Sequence, residues 1–269
     1  MDPIETVAIE ALRNAQKTVS DLGESGKIIV NTKQRGEIAL KADIEAEKTV
    51  IATLRKAKIP IRIISEEHGV VDIMPNPIYL GTLDGIDGTD ALKRGTDMYA
   101  TMLSIFKNID PRYKDFLFNG MIEHSKGNLY HTIPGQKSFM GNIPLLCNPS
   151  ATLDKSTLIF IDEYIDINIR TFTDNLKGFN TKCLGSSSHY YASLLSGEAA
   201  LMLECTRKGN LEVAAAYGLV TNAGGCIVTL DGQDIGDRKY NEFGQKEQIP
   251  LITAANRAIL AELRAHLQL

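Results

Sequence analysis

A mixed α/β protein is predicted, with an α+β first half (residues 1–145) and an α/β second half (residues 146–269). Three observations predict it. Two segments with helical periodicity open the chain, a run of short strands follows them, and strands and helices alternate beyond residue 145. The first helix covers residues 4–22, where Ile4, Val7, Ala8, Ala11, Leu12, Ala15, Val19 and Leu22 fall on one face. Asp2-Pro3 supplies its start signal, and Gly23 and Gly26 its stop. A second helix starts near Asp43, whose carboxylate suits a cap, and carries Ile44, Val50, Ile51 and Leu54. Residues 61–64, 78–80, 99–106, 116–122 and 128–132 are short, apolar or alternating, and bounded by turn formers, so they read as strands. Strands are expected at 157–161, 181–184, 199–203, 226–229 and 251–253, and helices at 165–176, 189–195, 211–222 and 255–267. The soft boundary falls in 141–150, Gly-Asn-Ile-Pro-Leu-Leu-Cys-Asn-Pro-Ser.

Composition excludes several function classes. The chain has 269 residues, 43% hydrophobic and 23% charged, which is ordinary for a globular protein and excludes disorder, collagen and coiled coil. Twenty-nine basic residues against 33 acidic ones give a net charge of −4, so no nucleic-acid partner is expected. No apolar run reaches the roughly 18 residues of a membrane span, and Met-Asp-Pro-Ile-Glu-Thr lacks the regions of a signal peptide. Cys147, Cys183, Cys205 and Cys226 form no C-x-x-C pair and read as buried, reduced thiols. The reading is a cytoplasmic protein without membrane partners.

The densest chemistry lies in Leu83-Asp84-Gly85-Ile86-Asp87-Gly88-Thr89-Asp90, after the strand at 78–80. Carboxylates spaced i, i+3 across a glycine turn converge, and hard divalent cations take clustered oxygens. Glycines let the backbone approach a ligand and leave amides free for phosphate. On its own the fragment suits an acidic turn equally well. An EF-hand is excluded, since its third position would be Ile86, its glycine Thr89 and its closing acid Gly95. No P-loop motif occurs. Ser65-Glu66-Glu67-His68-Gly69 follows the strand at 61–64 and shares a metal cluster with the aspartates if the two strands are neighbours. Ser186, Ser187 and Ser188 beside His189 do not make a nucleophile–base pair, because sequence neighbours rarely adopt that geometry. The remaining histidines read as surface or packing residues.

Together these segments resemble the inositol monophosphatase superfamily of magnesium-dependent, lithium-sensitive phosphatases. The resemblance rests on Glu66-Glu67, Asp84-Gly85-Ile86-Asp87-Gly88-Thr89, Leu184-Gly185-Ser186-Ser187, Leu211-Glu212-Val213-Ala214-Ala215, Ala223-Gly224-Gly225, and Ala42-Asp43 at a helix start. It implies a layered αβαβα sandwich, two to three Mg²⁺ ions, a small phosphorylated metabolite as partner, and a homodimer. Glu66, Asp84 and the carbonyl of Ile86 would hold the first ion. Asp84, Asp87 and Glu212 would hold the second, with Glu67 near a third. Glu66, Thr89 and Asp43 form the implied catalytic set, with water activated by metal attacking phosphorus in line. Gly88, Thr89, Asp90, Gly185, Ser186 and Ser187 would bind phosphate and substrate. The implied substrate is a polyol or sugar phosphate, such as inositol monophosphate or fructose 1,6-bisphosphate. Histidinol phosphate and 3′-phosphoadenosine nucleotides are the alternatives, as is a weakened member that binds phosphorylated ligands or a protein.

Three departures stand out. Leu211-Glu212 replaces the usual Trp-Asp, Gly85 replaces a proline and is expected to loosen its loop, and residues 107–118 form a longer polar connection.

Overall fold

The computed structural model describes residues 3–32, 38–162, 174–207 and 209–269. Helix α1 (Pro3–Leu22) buries Ala8, Ala11, Leu12, Ala15 and Val19, the expected stripe, and packs along α2 (Lys41–Lys56). Between them β1 (Ile29–Thr32) and β2 (Ile38–Leu40) form an antiparallel ribbon that the periodicity did not predict.

The strands of the first half are β3 (Ile61–Ser65), β4 (Gly69–Asp72), β5 (Tyr79–Asp87), β6 (Ala100–Phe106), β7 (Phe116–Glu123), β8 (Leu129–Thr132), β9 (Phe139–Met140) and β10 (Ile143–Pro144). They form one sheet in the order β10-β9-β8-β7-β6-β5-β3-β4. Only β3 and β5 pair parallel in it, from Ile61 opposite Tyr79 to Ser65 opposite Leu83. That single parallel pair positions the site. Both strands end at the same edge, so Ser65-Glu66-Glu67 leaves the sheet beside Asp84, and the Glu66 amide donates to the Leu83 carbonyl at 3.3 Å.

The structure corrects one expectation here. The strand expected at 78–80 continues to Asp87, so the acidic motif is the end of β5 itself, bulged between Asp84 and Asp87. Every residue of β5 after Tyr79 is buried, so an outward loop is excluded and the acids point into the molecule. The short helix α3 (Thr89–Arg94) follows at once.

The second half supplies a five-stranded sheet, order β12-β11-β13-β15-β14. Its strands are β11 (Leu158–Ile161), β12 (Asn180–Lys182), β13 (Leu201–Cys205), β14 (Cys226–Thr229) and β15 (Pro250–Ala254). Helices α4 (Ser187–Leu195), α5 (Leu211–Asn222) and α6 (Arg257–Leu267) alternate with them. The helix expected at 165–176 lies largely outside the described residues, which resume at 174. Nine of the twelve residues of α5 are buried, as expected for a helix apolar on every side. It packs against β5, β6 and β7 on one side and β14 on the other. The layers therefore run α1/α2, eight-stranded sheet, α4/α5, five-stranded sheet, α6.

Asn119 on β7 pins α5 to the sheet. Its Nδ2 donates to the Ala214 carbonyl at 2.9 Å and to Ser104 Oγ at 2.7 Å, and its Oδ1 accepts from the Gly218 amide at 2.8 Å. Packing crosses residue 145, since Leu80, Met102, Phe106, Tyr113 and Phe116 join the core of the second half. Residues 107–118 are less polar in structure than expected. Tyr113 is fully buried among Tyr217, Tyr240 and Phe243. Cys147, Cys205 and Cys226 are buried free thiols as expected, whereas Cys183 is exposed. No helix of the described residues is long and apolar enough to cross a membrane.

Candidate active site

Strand β5 and the first turn of α5 bring Asp84, Asp87 and Glu212 together. One carboxylate oxygen from each lies within 4.8 Å of the others. Asp84 is 2% exposed, and its Oδ1 has no hydrogen-bond partner. Burial, followed by the charges of Glu66, Glu212, Asp87 and Asp43, pushes the Asp84 carboxyl well above the usual carboxylate range. Burial likewise pushes Glu212 up to about 7; Arg207 opposes the shift, and Asp87 and Glu66 add to it. Concentrated, buried carboxylates with one orphaned oxygen are costly unless a cation joins them. All the donors are hard oxygens, so the triplet fits a divalent ion of the magnesium class. Glu66 and Glu67 lie outside the triplet but near it: the charge of Glu66 acts on Asp84, Asp43 and Glu212, and that of Glu67 on Asp43.

Asp43 sits on the third residue of α2, behind β5. Its Oδ2 accepts from the Leu40 amide at 2.9 Å, so it caps α2 from inside the first turn instead of preceding it. The Thr89 hydroxyl stands 2.9 Å from Asp43 Oδ1 and 3.0 Å from the Ile86 carbonyl, and donates to this pair of acceptors. Burial pushes the Asp43 carboxyl up to about 7, against the pull of Thr89 and Leu40. Gly88 precedes α3 with φ 88°, a left-handed conformation that favours glycine, and a Cβ there would lie 2.3 Å from the Met98 carbonyl. Asp90 follows on α3 and is exposed.

Gly85, expected to loosen its loop, lies tight against α2. An added Cβ would stand 2.4 Å from the Asp43 carbonyl and 2.9 Å from Glu47 Cγ. The absent side chain is what lets α2 press on β5 and bring Asp43 to Thr89.

The serines reach the cluster from α4. Ser186 caps that helix by accepting from the His189 amide at 3.3 Å, and its hydroxyl donates to Asp87 Oδ2 at 2.8 Å. The amides of Ser187 and Ser188 donate to Asp87 Oδ1 and Oδ2 at 3.3 and 2.7 Å. Asp87 thus sits at a helix N-terminus, where a negative charge is favoured. Gly185 is one step removed, with its amide donating to Tyr190 Oη at 2.8 Å.

Several residues had gone unread in the sequence. Glu47 is fully buried one turn beyond Asp43, and its carboxylate accepts from the amides of Glu66, Glu67 and His68 at 3.0–3.2 Å. His68 Nδ1 lies 2.6 Å from the same group, which gives that histidine a structural partner. The i, i+4 spacing of Asp43 and Glu47 on one helix was the available signal. Ser188 and Arg207 left none. Arg207 Nη2 pairs with Asp162 Oδ2 at 2.6 Å, and Nη1 stands 3.7 Å from Glu212 Oε1.

Comparison with known proteins shows which family and fold the chain shares. A family model described as the inositol monophosphatase family matches residues 1–268. A fructose-1,6-bisphosphatase/inositol-1-monophosphatase of Methanothermobacter thermautotrophicus is 23% identical over 240 residues, covering 85% of each chain. The Nus factor SuhB of Pseudomonas aeruginosa is 29% identical over 279 residues, covering 99% of this chain and 98% of its own. Among solved structures, the extragenic suppressor protein suhB of Bartonella henselae superposes with a TM-score of 0.83 at 18% identity, covering 99% of both chains. The Thermotoga maritima IMPase gives 0.79 at 18% identity, covering 100% of this chain and 97% of its own.

Proposed function

The chain belongs to the inositol monophosphatase family, and from that premise we propose that it hydrolyses a small polyol or sugar phosphate, inositol monophosphate or fructose 1,6-bisphosphate, with Mg²⁺. Its class, a phosphatase acting on phosphoric monoesters, follows from the family. The observation that carries the finer reading is the convergence of Asp84, Asp87 and Glu212 with an orphaned Asp84 Oδ1. Asp84, Asp87 and Glu212 would hold one ion, and Glu66, Asp84 and the Ile86 carbonyl another, with Glu67 near a third. Bound there, Mg²⁺ supplies charge neutralisation and acidifies a water.

The protein's own residues then do the rest. Thr89 Oγ donates its proton toward Asp43 Oδ1, which leaves an oxygen lone pair to accept from the attacking water and orient it. As that water attacks phosphorus and the bond from phosphorus to the alcohol oxygen breaks, its proton passes to Thr89 Oγ and the Thr89 proton to Asp43 Oδ1, while the departing alkoxide takes a proton from solvent. Burial gives Asp43 the proton affinity this needs. Glu66 orients the same water. The amides of Gly88 and Thr89 receive the phosphate, with Asp90 at its rim. Gly185, Ser186 and Ser187 border the alcohol portion, and the serines hold Asp87 in register. A cytoplasmic homodimer with lithium sensitivity is carried over from the family resemblance, and light scattering checks its mass. The reading is tested by phosphate release from a panel of phosphomonoesters. Turnover is expected with Mg²⁺ on polyol or sugar phosphates and none with EDTA. A second reading, a weakened member that binds a partner, is favoured by the Nus-factor relative and predicts no turnover on any panel member.

A further inference from the structure

The bulge of β5 that carries the acids is held from the β6 side by buried side chains. Between the pairs Asp84–Met102 and Asp87–Ala100, Gly85 and Ile86 stand opposite a single residue of β6, Thr101. Thr101 is fully buried, and its hydroxyl donates to the Gly85 carbonyl at 2.6 Å. The next carbonyl, that of Ile86, accepts from the Thr89 hydroxyl at 3.0 Å. Each peptide unit is planar, so a fixed carbonyl fixes its whole unit. Two threonine hydroxyls therefore set successive peptide units on the path from Asp84 to Asp87.

A histidine stands behind Thr101. His124, read from the sequence as a surface or packing residue, is buried just after β7 and stacks on Tyr99, with ring centroids 5.5 Å apart and planes 14° from parallel. Its amide donates to the Tyr99 carbonyl at 3.3 Å, and its carbonyl accepts from Gln16 Nε2 at 3.4 Å. The ring's Nε2 lies 2.9 Å from Thr101 Oγ. The one hydroxyl hydrogen is committed to Gly85, so Thr101 Oγ accepts from the ring, and Nε2 carries the hydrogen. Nδ1 is then a bare lone pair, buried and without a hydrogen-bond partner among the described residues. Burial pushes the ring down to about 3, so it stays neutral.

We propose that Thr101 and His124 are positioning residues for the ion-binding bulge. The Thr101 hydroxyl aims Asp84 and the Ile86 carbonyl by holding the Gly85 carbonyl, and His124, as the Nε2–H tautomer, keeps that hydroxyl turned toward Gly85. The proposal rests on the metal-dependent reading above and extends it to residues that touch neither ion nor substrate. Groups one step behind a ligand set its direction, and losing one typically weakens metal binding roughly 10- to 100-fold.

Two measurements test it. In the unaltered protein carrying ¹⁵N-labelled histidine, long-range ¹H–¹⁵N NMR reads the His124 tautomer, with the signal assigned by its loss in His124→Phe. A neutral ring with its hydrogen on Nε2 is expected. A hydrogen on Nδ1 would make Nε2 the acceptor, turn the Thr101 hydroxyl away from Gly85 and overturn the proposal, whatever the variants do. The second measurement is Mn²⁺ titration of the full chain, with free Mn²⁺ read by electron paramagnetic resonance. Thr101→Val keeps the shape without the hydroxyl and is expected to weaken Mn²⁺ binding about tenfold or more, whereas Thr101→Ser keeps the hydroxyl and is expected to stay within about threefold. A valine variant that melts cooperatively in EDTA and binds within about twofold of the unaltered protein overturns the proposal while leaving metal dependence intact. A serine variant as weak as the valine one does the same. No Mn²⁺ bound by the unaltered protein overturns both readings.

Discussion

Replacing Glu47 by alanine separates holding the acidic loop from supplying its ligands. The Glu47 carboxylate is fully buried and receives the amides of Glu66, Glu67 and His68 at 3.0–3.2 Å, with His68 Nδ1 at 2.6 Å. A hydrogen bond to a charged group contributes about 1.5–3 kcal/mol, and a stranded buried donor costs about 1–3 kcal/mol. These contributions share one acceptor and do not add. Water also reaches part of the loop, since His68 is partly exposed. A net loss of about 3–4 kcal/mol follows, or roughly 6–16 °C in melting temperature for a chain of this size. The functional effect is separate. Glu66 and Glu67 keep their charges but lose the backbone that aims them, so the Mg²⁺ concentration for half-maximal phosphate release is expected to rise at least tenfold. Glu47→Gln keeps the shape but turns an NH₂ group on three N–H donors, and is expected to recover little. Thermal melting paired with a Mg²⁺ titration of turnover checks both parts. An alanine variant melting within about 2 °C of the unaltered protein, with the same Mg²⁺ requirement, would refute the account.

Three further outcomes are expected. Asp84→Asn abolishes nearly all turnover and at the same time raises the melting temperature in EDTA, because it removes a buried charge from a crowded cluster; a variant retaining more than about a tenth of the activity refutes the cluster assignment. Thr89→Ala lowers kcat on the order of a hundredfold with little change in KM, since orienting a water acts in the transition state; steady-state kinetics showing a change in KM alone refutes it. Asp43 and Glu212 are pushed up to about 7 and Glu204 to about 8 by burial. Between the ordinary carboxylate range and those values the folded state binds more protons than the unfolded one. Stability in EDTA therefore falls as pH rises from about 4 to about 8, by on the order of a few kcal/mol. Saturating Mg²⁺, which prefers the deprotonated carboxylates, flattens that slope, and melting curves across the range decide it.

The elements that carry the site were legible wherever a periodic pattern or a compact motif fixed them. The stripe of α1, the apolar run of α5 and the Asp84–Asp87 spacing each reflect a local rule that the fold obeys. The adjacency of Glu66 to Asp84 was conditional on two strands being neighbours, and only the parallel pairing of β3 with β5 supplies it. What stayed unread depended on distant partners. Glu47 looks like any acid on an amphipathic helix until the loop at 66–68 folds over it. Gly85 looks permissive until α2 presses on it. The short strands β1, β2, β4, β9 and β10 span two to four residues each, too few for a period to show.

The seating of Asp87 on the first turn of α4 has a consequence for the protein as it is made. Asp87 and its three donors are separated by 99 to 101 residues, and Glu212 comes later still. At about 5–20 residues per second, the ribosome needs roughly 6–25 s to travel from the aspartate to the glutamate. Until residues 186–188 and then 212 are made, the acids lack first the donors that gather Asp87 and then the helix that delivers Glu212. The carboxylate triplet thus cannot assemble before the chain has been made as far as Glu212.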